Sequence, residues 1–219
     1  LTGPLDLGRR PRRLGAFLVL VVALVGLAMA VVASPPKVGR LRALPDAPDP
    51  AELAAALGLQ MPAPEVGVPR FVLRDIGGRA ISAEALRGKV ALISFFATWC
   101  PSCQGEMPAF RELTARFQGT DFILVLVNYG ESREAVLAYA ADLAFAHAIL
   151  LDPGTRVGDS LAVKFLPTHF LLGRHGELVA TGVGPKAWDG SDAAQLIVRL
   201  LGRGAEAGGP SPAPERRGI

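Results

Sequence analysis

The sequence predicts an α/β fold, a sheet flanked by helices, behind an N-terminal apolar span. Three observations predict it. The apolar run Val90–Phe96 reads as a buried strand, leads into Trp99-Cys100-Pro101-Ser102-Cys103, and is followed by a helix-like segment from about Gln104 to Phe117. Phe122–Val127 is a second continuous apolar run, the pattern of a central parallel strand covered on both faces. Strand-like and helix-like segments then alternate up to a last hairpin, as in a layered α/β sandwich.

The elements follow in chain order. Residues 1–13 form a basic tail with Arg9, Arg10, Arg12 and Arg13. Leu14–Ala33 is a run of 20 residues without a charge. At about 1.5 Å per residue it matches the roughly 30 Å of a bilayer's hydrocarbon core. It is expected to be a transmembrane signal-anchor; the alternative is a cleaved signal with Val31-Val32-Ala33 as the small-residue site. The arginines before the span place the tail in the cytoplasm and everything after the span outside it. The expected location is therefore the cytoplasmic (inner) membrane, single-pass, with the folded domain on the extracytoplasmic side. The first residue is Leu1, which leaves open an alternative start or a missing one.

Residues 34–68 are rich in proline and alanine and read as an extended spacer, with a short helix possible over Ala51–Leu57. The folded domain is expected over residues 69–201. Phe71–Leu73 reads as a strand, Ile76–Arg79 as a turn, and Ala80-Ile81 as the return; Ser82 then caps a short helix through Leu86. After the cysteine motif the helix contains Pro108, which predicts a kink. Glu134–Leu143 reads as a helix, His147–Leu151 as a strand, and Arg156–Phe165 as another helix. Thr168–Leu172 and Leu178–Val183 form a hairpin around Arg174–Glu177, and Ala193–Leu201 is the last helix. Residues 202–219, rich in Gly, Pro and Ala, read as a disordered tail.

The chain has 219 residues and a net charge of +3, with arginines gathered at the two ends, so no nucleic-acid partner is expected. Both cysteines of the protein lie in one C-x-x-C pair, which excludes a disulfide framework. At a strand-to-helix junction such a pair has a clear chemistry. The free N–H groups and partial positive charge of the helix N-terminus favour a thiolate over a thiol. The first cysteine of such motifs has its pKa lowered to about 3.5–7.5, and the second is placed to resolve a mixed disulfide. Three other uses compete for the pair. A zinc site usually takes four ligands, and His147, His169 and His175 lack ligand spacing. A static cross-link over so small a loop gains little. A peroxide-reducing cysteine is preceded by Pro-x-x-x-Thr/Ser-x-x-Cys, where this chain has Ile93 and Ala97. No metal and no organic cofactor is required, because the sulfur pair itself carries the electrons.

Phe95-Phe96-Ala97-Thr98 before Trp-Cys-x-x-Cys, and Leu166-Pro167-Thr168 before a hairpin, resemble the thioredoxin superfamily. Phe71–Asp75, Leu86–Val90, Glu106-Met107-Pro108 and Gly184–Asp189 are similar to its TlpA/ResA/CcmG group, membrane-anchored extracytoplasmic thiol–disulfide oxidoreductases. The resemblance implies a thioredoxin fold, a central mixed β-sheet flanked by helices. It also implies a function: reduction of disulfides in client proteins such as apocytochrome c or metal-site proteins, with re-reduction by a membrane electron donor of the DsbD/CcdA type. Carried over residue by residue, Cys100 is the exposed nucleophile, Cys103 the buried resolving thiol, and Pro167 a cis-proline facing their disulfide. Leu166, Thr168, Trp99, Pro101 and Ser102 then frame the client. Glu106, three residues after Cys103 on one helix face, handles the Cys103 proton. Thioredoxins proper carry a buried aspartate where this chain has Ser94. His169 reads as a core or surface histidine, and Trp188 and Asp189 as packing residues of the last loop. Two alternatives share the same residues: a disulfide-donating oxidase, or a copper metallochaperone using both thiolates.

Overall fold

The computed structural model describes residues 48–62, 70–142 and 148–206. The run 14–33, expected as a membrane span, lies outside them, as do residues 1–13. Among the described residues no helix is long and apolar enough to cross a membrane.

In chain order the elements are α1 (Pro50–Ala56), β1 (Val72–Asp75), β2 (Ala80–Ser82), β3 (Val90–Phe96), α2 (Pro101–Arg116), β4 (Phe122–Tyr129), α3 (Arg133–Asp142), β5 (Ala148–Asp152), α4 (Arg156–Ser160), β6 (Thr168–Leu172), β7 (Leu178–Val183) and α5 (Ser191–Glu206). One sheet runs β2-β1-β5-β4-β3-β6-β7. Strands β3, β4 and β5 are parallel; β1, β6 and β7 join antiparallel. This is the thioredoxin-like arrangement, a mixed sheet with helices on both faces.

Handedness explains the layers. The crossovers β3-α2-β4 and β4-α3-β5 step the same way, so right-handed connections put both helices on one face. That face holds Leu92, Phe96, Leu124 and Leu126, packed by Phe110 and Leu113 of α2, Val136 of α3, and Leu196, Ile197 and Leu200 of α5. The step from β5 to β6 goes the other way, past β3, and its connection covers the opposite face with Val157, Leu161 and Val163 against Ile93, Phe95 and Val127. β3 is buried along its whole length, which accounts for its unbroken apolar sequence.

Several expected boundaries move. Residues 50–60 belong to the folded unit, not to the spacer: Leu53, Ala54, Leu57 and Leu59 are core residues, and Gln60 exchanges both backbone hydrogen bonds with Thr181 of β7. Asp49 caps α1 through the Ala51 N–H at 3.0 Å. The helix expected at Gln104 starts at Pro101, because Cys100 is the N-cap and proline at the first helical position gives up an N–H that needs no partner. It continues through Pro108, an exposed position where solvent can serve the carbonyl that loses its ladder partner. The helix expected over Arg156–Phe165 ends at Ser160; Leu161 closes it, and Ala162 has φ 56, outside helical space. The last helix runs to Glu206, five residues into the expected disordered tail, since interior glycines cost a helix only about 1 kcal/mol each. Residues 207–219 lie outside the described residues.

The β1–β2 turn is locked by Asp75, whose carboxylate accepts the Arg79 backbone N–H at 2.8 Å and its Nε at 3.1 Å. The backbone donor of Arg79, foremost, holds the Asp75 carboxyl below its ordinary value.

Candidate active site

The two cysteines meet as a disulfide, with Cα atoms 5.3 Å apart. The local sequence dictates this. β3 ends at Phe96, Ala97–Trp99 turn the chain, and Cys100 takes the N-cap position of α2 in an extended conformation. Its Sγ accepts the Cys103 backbone N–H at 3.2 Å, a bond normally made by a capping oxygen. When the disulfide opens, the same N–H and the helix dipole favour the Cys100 thiolate. Ser102 Oγ lies 3.7 Å from Cys100 Sγ.

Cys100 was expected to be exposed, and the structure corrects this. It is 4% accessible, against 1% for Cys103. The capping geometry folds its sulfur back over the first helical turn. The exposed parts of the motif are Trp99, at 67%, and Pro101 and Ser102.

The Leu166–Pro167 peptide is cis. Thr168 pairs with Phe95, so Pro167 emerges at the same end of the sheet as the Ala97–Cys100 loop. Pro167 and Thr168 are buried and Leu166 is half-buried. The Thr168 hydroxyl donates to the Phe165 carbonyl at 2.7 Å, and the Gly184 N–H donates to the Pro167 carbonyl at 2.8 Å. Gly184 has φ 77, which suits glycine. Exposed apolar side chains flank both loops at this end of the sheet: Trp99 before Cys100, Phe165, 70% exposed, before the cis-proline, and Val183, 54% exposed, paired with Thr168. Phe165 was missed at the sequence level because a lone phenylalanine before Leu-Pro carries no periodic signal.

Glu106 sits one turn after Cys103 and is 3% accessible. Its Oε1 accepts the Lys186 backbone N–H at 2.8 Å and lies 3.3 Å from His169 Nε2. Trp188 is fully buried, stacked on Phe110 at 6.3 Å and edge-on to His169 at 5.2 Å.

Glu131 also escaped the sequence reading. It accepts the Thr98 N–H at 2.7 Å, the Thr98 hydroxyl at 2.5 Å and the Asn128 amide at 2.6 Å. Gln104 closes the loop from the other side by donating to the Thr98 carbonyl at 2.5 Å. The loop that delivers Cys100 is thus clamped to the end of β4. The available signal was Asn128, a polar residue ending an apolar strand, followed by Gly130 with φ 84. Glu131→Ala leaves the Thr98 N–H and the Asn128 amide unpaired. It is expected to lower the stability of the oxidised protein by about 1–3 kcal/mol. An unchanged urea midpoint would show that the clamp contributes nothing.

The AhpC/TSA family pattern matches residues 64–181. The chain belongs to the AhpC/TSA family. It is 32% identical over 114 residues to the thiol-disulfide oxidoreductase ResA of Halalkalibacterium halodurans, covering 52% of this chain and 65% of that protein. It is 34% identical over 116 residues to ResA of Bacillus subtilis, covering 53% and 65%. The chain thus spans slightly less than two thirds of the length of these relatives. The crystal structure of StoA from Bacillus subtilis matches with a TM-score of 0.50 at 25% identity, over 58% of this chain and 96% of that one. The ResA likeness agrees with the group that the motifs pointed to. Within the family, Ile93 and Ala97 still stand where a peroxide-reducing signature would have Pro and Thr/Ser.

Proposed function

We propose that this chain is a thiol–disulfide oxidoreductase, tethered by residues 14–33 to the outer side of the cytoplasmic membrane, that reduces disulfides in protein clients. The observation that carries the reading is the Cys100–Cys103 disulfide at a helix N-terminus, next to a cis-proline loop at the same sheet end. The names of the ResA relatives support the chemistry. The uncharged N-terminal run supports the tether. The resemblance to the TlpA/ResA/CcmG group supports the reducing direction, apocytochrome c or metal-site thiols as clients, and a membrane donor of the DsbD/CcdA type.

The steps follow from the geometry. The Cys100 thiolate attacks a client disulfide, forming a mixed disulfide and releasing one client thiolate. Cys103, held one helical turn away, attacks the Cys100 sulfur, and the second client thiolate leaves. Trp99, Phe165 and Val183 offer an apolar rim against which a client segment can lie, and the Leu166 backbone beside Pro167 can pair with it.

Direction is a matter of potential. Known pairs of this chemistry run from about −270 mV to about −120 mV, a span worth about 7 kcal/mol for two electrons. Equilibrating the full chain in glutathione or dithiothreitol buffers, with thiols trapped by alkylation, is expected to give one two-electron couple near or below the thioredoxin value. A potential near −120 mV on that scale would reverse the arrow and make the protein a disulfide donor. A pair that never exchanges would reduce it to a structural cross-link and end the reading.

A further inference from the structure

Thr98 lies two residues before Cys100, in the turn that carries the chain from β3 to α2. All of its polar atoms are taken, and none by another residue of that turn. Its N–H donates to Glu131 Oε2 at 2.7 Å and its hydroxyl to Glu131 Oε1 at 2.5 Å, so each carboxylate oxygen holds one donor of the same residue. Its carbonyl accepts from the Gln104 side chain at 2.5 Å. The carboxylate is itself fixed. Oε2 also accepts the Asn128 amide at 2.6 Å, and the Glu131 N–H donates to Asn128 Oδ1 at 3.2 Å. Asn128 is buried near the end of β4, so the grip on Thr98 is anchored in the sheet.

While the disulfide is closed, the S–S bond holds Cys100 against α2 and the grip is redundant. Once the bond opens, Cys100 is held by its backbone. Its N–H donates to the Ala97 carbonyl at 3.2 Å, and its carbonyl accepts the Gln104 N–H at 3.1 Å. Those bonds end on the segment that Glu131 and Gln104 fix through Thr98. The Cys103 N–H, 3.2 Å from Cys100 Sγ, and the helix dipole favour a thiolate only while Cys100 keeps the N-cap position. A hydrogen bond to an ionised acceptor is roughly twice as strong as one to a neutral acceptor. The position therefore matters most in the reduced, ionised form.

We propose that Thr98, gripped by Glu131 and Gln104, is a positioning residue for Cys100: the grip keeps the opened Cys100 at the N-cap of α2 and thereby raises the reduction potential of the pair. The proposal rests on the oxidoreductase reading above and deepens it. When two molecules of glutathione reduce the pair, the Cys100–Cys103 bond breaks and the glutathione disulfide forms. Two electrons pass to the protein sulfurs, Cys103 keeps one of the two protons as a thiol, and the other goes to solvent as Cys100 becomes a thiolate. Whatever stabilises that thiolate raises the potential, since a couple becomes more oxidising as its reduced form is stabilised. A turn that only closed the fold would stabilise both redox forms alike and leave the potential unmoved. The titratable groups that this turn and the start of α2 bring together are Cys100, Cys103, Glu106 and, by contact, Glu131; the cis-proline loop, Leu166-Pro167-Thr168, brings none. A carboxylate near the sulfur would by itself disfavour a thiolate, so the test leaves Glu131 in place.

The test uses the full chain and changes no charge. Thr98→Val keeps the shape of the side chain and loses the bond to Glu131 Oε1. Gln104→Leu loses the bond to the Thr98 carbonyl. The double variant, equilibrated in glutathione buffers, is expected to hold its disulfide about tenfold more firmly, a potential about 30 mV more negative. Its Cys100 thiolate, followed by ultraviolet absorbance, is expected to titrate at higher pH than in the parent. Thr98→Ser, which keeps both donors, is expected to retain the parent values. If the double variant keeps the parent potential and titration midpoint, whatever its stability, the grip is structural only and the proposal is overturned. A potential shifted upward overturns it as well. If the unmodified protein never exchanges with glutathione, the oxidoreductase reading itself fails. A further check needs no variant: the Thr98 amide is expected to be as protected from hydrogen exchange in the reduced protein as in the oxidised one. A Thr98 amide that exchanges freely after reduction shows that the grip opens with the disulfide, and overturns the role assigned to it.

Discussion

Cys100→Ser is expected to abolish turnover, by roughly 1,000-fold or more, because a serine hydroxyl is not ionised near neutral pH and is a weak nucleophile without a base beside it. The helix N-terminus that favours a thiolate cannot lower a hydroxyl far enough to compensate. Cys103→Ser is expected to fail differently. Cys100 still attacks, but nothing resolves the product, so a stable one-to-one adduct with the disulfide probe accumulates and is visible by mass spectrometry. The contrast assigns the roles. Measurable turnover by Cys100→Ser, or an adduct formed through Cys103 instead, would invert the order of attack. The N-cap geometry argues for the order given: the Cys103 N–H points at the Cys100 sulfur at 3.2 Å, and only the first cysteine receives it.

Residues 50–60 carry the second large effect. Leu53, Leu57 and Leu59 are at most 8% accessible, and α1 lies in the same core as Leu196, Ile197 and Leu200 of α5. Leu53→Ala is expected to destabilise the protein by about 2–5 kcal/mol, a large share of the roughly 5–15 kcal/mol that holds a domain folded. A chain beginning at residue 69 loses all three leucines and the Gln60–Thr181 backbone pair, which covers the β7 edge. It is expected to show a much lower denaturant midpoint than a chain beginning at residue 45, and to expose apolar surface that binds hydrophobic dyes. Equal midpoints would show that α1 is only an ornament on a self-sufficient fold.

Much of the fold was legible because its signals are local. Val90–Phe96 and Phe122–Val127 announce buried strands by composition alone. Ser82 announces a cap, and Gly176, with φ 81, suits the turn between β6 and β7. The active motif is legible for the same reason, since the chemistry of a C-x-x-C pair depends on three consecutive peptide units and the helix that they start. Boundaries were less legible. Proline–alanine composition suggested a spacer in which the short helix over Ala51–Leu57 was only a possibility, although α1 forms there over Pro50–Ala56, because alanine and leucine at residues 53–57 gain their worth from α5, far along the chain. Gly202 and Gly204 suggested an end to α5, yet the helix runs to Glu206, since an interior glycine costs a helix only about 1 kcal/mol.

The chain's residues, taken alone, determine the redox pair and the order of strands and helices, because each depends on neighbours within one turn or one strand. Tertiary structure alone decided what surrounds the sulfurs. The Glu131 carboxylate meets Thr98 across 33 residues, and Glu106 meets Lys186 across 80. Strand register sets the buried His169 opposite Ser94, and helix α2 sets Glu106 against it. Such pairs arise only when the sheet closes, since no local pattern records which buried polar atoms will be brought together in a place that water cannot freely reach.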